Sequence, residues 1–256
     1  MKILLFDVDG TLCESSKIIS NEMALMLNKL ITNNYEIGIV GGGTFEKIQF
    51  QLNNWVSPHY IFSECGSVYY KLDVKSKSYI LINKNNLRLE PEYIKINKLI
   101  KTCLKFISSV DYLVSGNFID LRNGLIYVSL VGMVGTDEER ENFIKLDNIH
   151  EYRLRLIDLL KADAFKSHIG NYLDICLGGS VGIAIYPKKW NKVQVLNWLS
   201  PISNQIHYFG DKYLPNGNDY MLLSNELIIP HCVDSPEQTL LLLQKIFFNN
   251  SNDANL

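Results

Sequence analysis

Two aspartates separated by one residue, Asp7 and Asp9, leave the end of the first apolar run in this chain. Lys2-Ile3-Leu4-Leu5 reads as a short buried strand, and Phe6-Asp7-Val8-Asp9-Gly10-Thr11 follows it. Along an extended backbone, side chains i and i+2 share a face. A bend after Asp7 modifies that, yet both acids can still face one pocket. Two carboxylates this close repel unless a cation lies between them or one carries a proton. A turn with this charge pattern is either a solvated Asp-Gly turn or a site built for a cation and an acid–base pair. The apolar strand before it and Gly-Thr after it favour the second reading.

The 256 residues suffice for one large domain or two small ones. A hydrophobic share of 47% against 20% charged is an ordinary globular balance. The net charge of −2 gives no general attraction to nucleic acid or to an anionic membrane, so a phosphate site here needs locally placed cations. Five cysteines (13, 65, 103, 176, 232) are scattered, with no Cys-x-x-Cys among them, which suits reduced thiols better than a disulfide frame. The apolar stretch before Asp7 is too short for a signal peptide, and no apolar run approaches the roughly 18 residues of a membrane span. The expectation is a soluble, cytoplasmic protein without an internal repeat.

Along the chain, Ser20 is placed to cap a helix carrying Met23, Leu27, Leu30 and Ile31 at helical spacing. Tyr35 to Val40 reads as a second strand running into Gly41-Gly42-Gly43-Thr44, and Phe45 to Leu52 as a helix. Strand, glycine turn and helix start together leave backbone N–H groups free for phosphate, which makes Gly42, Gly43 and Thr44 candidate substrate contacts. Tyr60-Ile61-Phe62 adds a third strand, followed by a turn and hairpin through Tyr70. This βαβαβ alternation predicts a parallel sheet covered by helices.

The rhythm changes near Asn83-Lys84-Asn85-Asn86, a polar stretch that reads as a linker. A helix with Pro91 in its first turn is expected to bury Ile94, Leu99, Ile100, Leu104 and Ile107. Asn123-Gly124 between Phe118–Arg122 and Leu125–Leu130 is a strong hairpin signal. Thr136-Asp137-Glu138-Glu139 is a capping box that places Arg140 in the first turns of a helix. A helix through Leu154, Leu156, Leu159 and Leu160 follows, then strands 172–177 and 181–186 around Gly178-Gly179. Beyond Pro187 the α/β rhythm returns with a helix from Trp190 to Leu199 and a strand Ile206–Phe209. One or two strands follow over residues 227–233, then a helix opened by Ser235-Pro236. The tail from Asn249 is polar and reads as frayed. The division this predicts is a discontinuous α/β core, residues 1–84 and 188–256, with an α+β block inserted at 85–187.

Asp-x-Asp-Gly-Thr after a first buried strand resembles the haloacid dehalogenase phosphotransferases. That resemblance implies that the first Asp attacks phosphorus, that the second is a general acid/base, and that a magnesium ion is shared. Three strand ends then carry chemistry: Asp7/Asp9, the glycine turn with Thr44, and Gly210-Asp211-Lys212. Ligands of an open parallel sheet collect at such carboxyl ends. Mg²⁺ takes oxygen ligands and keeps several waters. Asp7, the main-chain carbonyl of Asp9, and Asp211 make such a set, and Pro215-Asn216-Gly217-Asn218-Asp219 adds Asn and Asp on one loop.

Within that superfamily the chain resembles the eukaryotic phosphomannomutases over almost its full length. The matching residues are Phe6 to Leu12, Val40-Gly41-Gly42, Phe45-Glu46-Lys47, Arg122-Asn123-Gly124, Glu138-Glu139-Arg140, Gly178-Gly179, and Phe209-Gly210-Asp211-Lys212 with Pro215, Gly217, Asn218 and Asp219. The resemblance implies a Rossmann-like haloacid dehalogenase core with an inserted α+β cap, and a homodimer formed through the caps. It implies that Asp7 accepts a phosphoryl group from a hexose bisphosphate activator and that Asp9 moves protons on and off the sugar oxygen. Mg²⁺ and Lys192 balance charge on the transferring group. Arg122 and Arg140 hold the second phosphate of a hexose phosphate substrate, and Asn218 belongs to the same binding set. Several positions depart from the family pattern. Met133 stands where an Arg is expected, Gly182 and Ala184 where a Ser and an Asp are, Ser16 near an expected Arg, and Gly43 in place of a Ser. Lys17, beside Ser16, could restore one cation. The expected reaction interconverts mannose 6-phosphate and mannose 1-phosphate. The alternatives are a magnesium-dependent sugar-phosphate phosphatase with an eroded distal site, and a non-catalytic binding subunit.

Overall fold

A computed structural model describes residues 2–248; the tail from Asn249 lies outside the described residues. Strand β1 (Lys2–Phe6) is the apolar run before the acidic turn, and Ile3, Leu4, Leu5 and Phe6 are all fully buried. That is what a strand covered on both faces requires. Helix α1 (Asn21–Thr32) starts where Ser20 Oγ accepts the Met23 N–H, and β2 (Tyr35–Val40) follows it. Helix α2 (Phe45–Leu52) is capped by Thr44, whose hydroxyl accepts the Lys47 N–H. Next come β3 (Tyr60–Ser63), β4 (Val68–Asp73) and β5 (Ser78–Lys84). Asn83 and Lys84 therefore belong to a strand and not to a linker. β5 lies at the sheet edge with most of its side chains in water, and so carries little apolar alternation to read.

Helix α3 (Tyr93–Ile107) buries Ile96, Leu99, Cys103, Phe106 and Ile107. Ile94 and Leu104, expected on that face, are exposed. Two apolar stripes compete on this helix, and packing against the later helix Tyr152–Lys166 and the core it shares buries the one running through Ile96 and Cys103. The Asn-Gly hairpin forms as β6 (Ile119–Leu121) and β7 (Ile126–Ser129). Helix α4 (Asp137–His150) opens on the full Thr136/Glu139 capping box. Helix α5 (Tyr152–Lys166), β8 (Leu173–Gly178) and β9 (Gly182–Pro187) complete the block.

The stretch expected as one helix from Trp190 is instead two 3₁₀ turns, Lys188–Trp190 and Lys192–Val195, followed by a single turn α6 (Leu196–Leu199). Extended backbone at Asn191 (ψ 174°) interrupts it and lets Lys192 turn inward. Strand β10 (Gln205–Gly210), the short α7 (Tyr220–Leu223), one strand β11 (Ile228–Cys232) and α8 (Pro236–Phe247) close the described chain.

The chain divides into two compact units. The first comprises residues up to Asn83, Lys192–Pro215 and those from Asp219; the second comprises Lys84–Asn191 with Asn216–Asn218. In the first, seven strands run in the order β11-β10-β1-β2-β3-β4-β5. β1 pairs parallel with both β10 and β2, as do β2 with β3 and β10 with β11, whereas β4 is antiparallel to β3. Leu4 and Phe6 face a core shared with α1 and α8, while Ile3 and Leu5 face another with Val195, Leu199 and Tyr208. The second unit packs α3 and α5 on an antiparallel sheet, β6-β7-β9-β8. Among the described residues no helix is long and apolar enough to cross a membrane. None of the five cysteines, all among the described residues, forms a disulfide.

The Thr44 cap is a local contributor to stability. Thr44→Ala should lower unfolding free energy by about 1 kcal/mol, read as a lower urea midpoint with an unchanged slope.

Candidate active site

The acidic turn begins where β1 stops pairing. The Asp7 N–H still donates to the Phe209 carbonyl, 2.9 Å away, and Leu12 and Cys13 then fold back onto the Val8 carbonyl. Gly10 takes a positive φ of +89°, and a side chain there would fall 2.5 Å from an Asp211 carboxylate oxygen. The missing side chain is therefore what lets the end of β10 deliver Asp211 against the first turn.

Asp7 is buried, and its Oδ1 accepts from the Lys192 ammonium at 2.5 Å. The same ammonium donates to Asp219 Oδ1 at 2.5 Å and lies 3.3 Å from the Tyr208 hydroxyl. Burial alone would strip the proton from Lys192, but the charges of Asp219 and Asp7 outweigh it and hold the ammonium well above the usual lysine range. For Asp7 the balance runs the other way. Burial comes first, and Asp219 and Asp211 add to it; together they overcome Lys192 and push the Asp7 carboxyl up to about 8. The Asp7 carboxyl thus stands in an excess of negative charge that further positive charge would relieve.

Asp9 is held differently. Its Oδ1 accepts the Ser16 N–H and the Gln51 amide, each at 2.8 Å, and its Oδ2 accepts the Lys47 ammonium at 2.8 Å. Burial would raise its pKa, yet the Lys47 charge with these three hydrogen bonds holds it below the usual carboxylate range. Lys47 and Gln51 stand four residues apart on α2 and so share a face. The cation that reaches Asp9 is Lys47. The glycine turn before α2 is braced by the next loop, since the Glu64 N–H donates to the Gly43 carbonyl and the Cys65 N–H to that of Gly41, both at 2.9 Å. Thr44 sits at its helix end, its oxygen used in the cap.

Asp7, Asp211 and Asp219 each offer an oxygen within 4.8 Å of the other two. The three are not equivalent. Asp219 Oδ1 is taken by Lys192 and Tyr208, and its Oδ2 by the Lys212 N–H at 2.9 Å. Asp211 pairs through Oδ2 with the half-exposed Lys212, while its Oδ1 is buried without a partner. A buried, unpartnered carboxylate oxygen beside a second carboxylate fits a hard divalent cation. Asp7 and Asp211 therefore suit a metal, and Asp219 is committed to protein donors. The Asp9 carboxylate is likewise occupied, so Asp9 has only its main-chain carbonyl to offer a cation.

The remaining candidates lie elsewhere. Asn218 has a buried side-chain oxygen without a partner. In the second unit, Arg122 pairs with Asp120 at 2.6 Å and covers the Tyr127 ring, 4.8 Å from its centroid. Arg140 donates to the carbonyls of Gly135, 3.0 Å, and Met133, 2.7 Å. Tyr208, Lys47, Gln51 and the role of Asp219 were not assigned from the sequence. The i, i+4 spacing on α2 could have paired Lys47 with Gln51, and Asp219 stood in the loop after Asp211; Tyr208 has no sequence signal beyond a place in a buried strand.

Metal uptake should depend on pH in a stated direction. Below about 8 the Asp7 carboxyl holds a proton that a cation must displace, so Mg²⁺ affinity should rise as pH approaches 8 and level off above it, with proton release on binding. Titration calorimetry in two buffers of different ionisation enthalpy measures both effects. Asp211→Asn should abolish the uptake.

Comparison with known proteins converges on one family. A family profile described as eukaryotic phosphomannomutase matches residues 23–249. The chain is 35% identical over 249 residues to a phosphomannomutase of Spinacia oleracea, covering 96% of this chain and 95% of that protein. It is 36% identical over 248 residues to one of Galdieria sulphuraria, covering 96% and 94%. In fold it resembles a trehalose-6-phosphate phosphatase C-terminal domain of C. albicans, with TM-score 0.62, 15% identity, and 95% and 91% of the two chains covered. It also resembles a haloacid dehalogenase-like hydrolase of Bacteroides thetaiotaomicron, with TM-score 0.56, 14% identity, and 96% and 99% covered. Full-length likeness at this identity, on a haloacid dehalogenase-type α/β core, makes the chain a member of the eukaryotic phosphomannomutase family.

Proposed function

We propose that the protein transfers phosphoryl groups on hexose phosphates through Asp7, in the manner of a phosphomannomutase. The observation that carries this is the Asp7 carboxylate at the end of β1, flanked by the buried Lys192 ammonium and by the unpartnered oxygen of Asp211. Asp7 attacks phosphorus, a P–O bond forms to its carboxylate, and the bond to the sugar oxygen breaks. Asp9 gives a proton to that departing oxygen and later takes one from the incoming hydroxyl. The Asp9 carboxyl, held below the usual carboxylate range against its burial by the Lys47 ammonium, suits the second half of this exchange. Asp7, the Asp9 carbonyl and Asp211 would hold a Mg²⁺ ion, which would supply positive charge for the phosphoryl oxygens. Lys192 holds the attacking carboxylate, and the N–H groups of Gly42, Gly43 and Thr44 receive the substrate's phosphate. Asn218 enters the substrate-binding set on the family resemblance.

A second reading, hydrolysis of a sugar monophosphate, is favoured by the second unit. A mutase needs a distal phosphate site in the cap. At Gly182 a side chain would overlap Tyr127, whose ring fills that space and whose hydroxyl donates to the Gly178 carbonyl. Arg122 already serves Asp120, and Arg140 two carbonyls. Removing one charged hydrogen bond to a phosphate weakens binding by about 1.5–3 kcal/mol. A bisphosphate would suffer more than a monophosphate.

One assay separates the readings. With mannose 1-phosphate, Mg²⁺ and a catalytic amount of hexose bisphosphate, formation of mannose 6-phosphate marks the mutase. Release of inorganic phosphate alone marks the phosphatase. Neither product, with no trapped aspartyl phosphate, leaves a binding subunit. Asp7→Asn should abolish either activity while circular dichroism still shows a folded protein, with a thermal midpoint lowered by the loss of one charged partner of Lys192. Lys47→Met should remove the charge that keeps Asp9 ionised, so the acidic limb of the rate profile moves to higher pH.

A further inference from the structure

Tyr208 lies inside β10, completely buried among Ile3, Leu5, Val195 and Leu199. A phenylalanine would fill that apolar setting without burying an oxygen, and a buried hydroxyl is unfavourable unless hydrogen-bonded. The Tyr208 hydroxyl donates to Asp219 Oδ1 and lies 3.3 Å from the Lys192 nitrogen. An ammonium has three hydrogens to give. Here three acceptors surround it: Asp7 Oδ1, Asp219 Oδ1 and the Tyr208 oxygen. Both oxygens of Asp219 are engaged, the other one by the Lys212 N–H. Burial and the Asp219 charge keep the phenol protonated, so it acts as donor to the carboxylate and acceptor from the ammonium.

We infer that Tyr208 is a positioning residue, the third point that fixes the Lys192 ammonium on the oxygen side of Asp7. With only the two carboxylates, the ammonium would have a free hydrogen and a path toward whichever acid carries more charge. Once the Asp7 oxygen bonds to phosphorus, its negative charge passes to the phosphoryl oxygens, the acceptor at Asp7 Oδ1 is weakened, and an ammonium held only by Asp219 would be free to swing. The Tyr208 oxygen, anchored on that same Asp219, opposes the swing and keeps Lys192 facing the transferring group. This kinetic consequence rests on Asp7 being the nucleophile; the geometric claim does not.

The test uses the full chain labelled with ¹⁵N-lysine. Wild type should show one slowly exchanging side-chain ammonium signal, absent from Lys192→Met. Tyr208→Phe removes one oxygen, and in it that ammonium should exchange at least about tenfold faster. With a hexose phosphate substrate, kcat should fall about tenfold, KM and the Mg²⁺ half-saturation staying within twofold, as expected for removal of one hydrogen bond to a charged group. A structural role alone would lower the thermal midpoint and leave the ammonium signal and the kcat-to-KM split unmoved, and that result overturns the inference. So does an ammonium signal as protected in Tyr208→Phe as in wild type. Should Tyr208→Phe fail to fold, 3-fluorotyrosine placed at 208 keeps the ring and changes only the strength of the phenol as donor and acceptor. A shifted Lys192 ¹⁵N resonance then supports the contact, and an unshifted one refutes it. A wild-type protein that transfers no phosphoryl group while showing the protected ammonium would sink the proposed reaction and leave the placement of Lys192 standing.

Discussion

The ammonium of Lys192, fully buried between Asp7 and Asp219, is the interaction on which the site depends. It joins three segments distant in sequence: the end of β1, the point where the chain re-enters the first unit, and the loop after β10. Removing one partner from such a buried set leaves an uncompensated charge, a loss of about 3–5 kcal/mol. The break of helix at Asn191 follows from the same demand. A continuous helix from Trp190 would fix the direction of Lys192 by helical rotation, whereas extended backbone followed by a 3₁₀ turn lets it point inward.

The two acids of the first turn sit in opposite electrostatic settings although one residue separates them. Asp7 faces other carboxylates in a buried place, which raises its pKa, while Asp9 faces Lys47, Gln51 and a backbone N–H, which lower it. Settings pushed apart in this way fit the proposed division between attack at Asp7 and proton transfer at Asp9. Asp211 and Asp219 divide a second task. An oxygen without a partner is left for a cation in one, and every oxygen of the other is used to hold Lys192 and Tyr208.

In the second unit the two expected phosphate-binding arginines are engaged by groups of this chain. Tyr127 occupies the space above Gly182, Arg122 stacks on Tyr127 and pairs with Asp120, and the Arg140 guanidinium closes its own loop at Met133 and Gly135.

Much of this protein was legible in its residues. The apolar run before Asp7, the caps at Ser20, Thr44 and Thr136, and the Asn-Gly hairpin all act over a few residues, where periodicity and side-chain-to-backbone bonds decide the outcome. The acid turn and Asp211 were likewise visible as charges at strand ends. Other features were settled only in three dimensions. The buried stripe of α3 was chosen by its packing with α5 in a shared core, and the reach of the edge strand to Lys84 was set by pairing with β4, not by its own sequence. The partners of Lys192 were fixed by burial, because an ammonium out of water must find acceptors wherever the fold supplies them, and Asp219 and Tyr208 lie 27 and 16 residues away along the chain. Local patterning determined which elements form; the electrostatics of a water-free interior determined which charges meet.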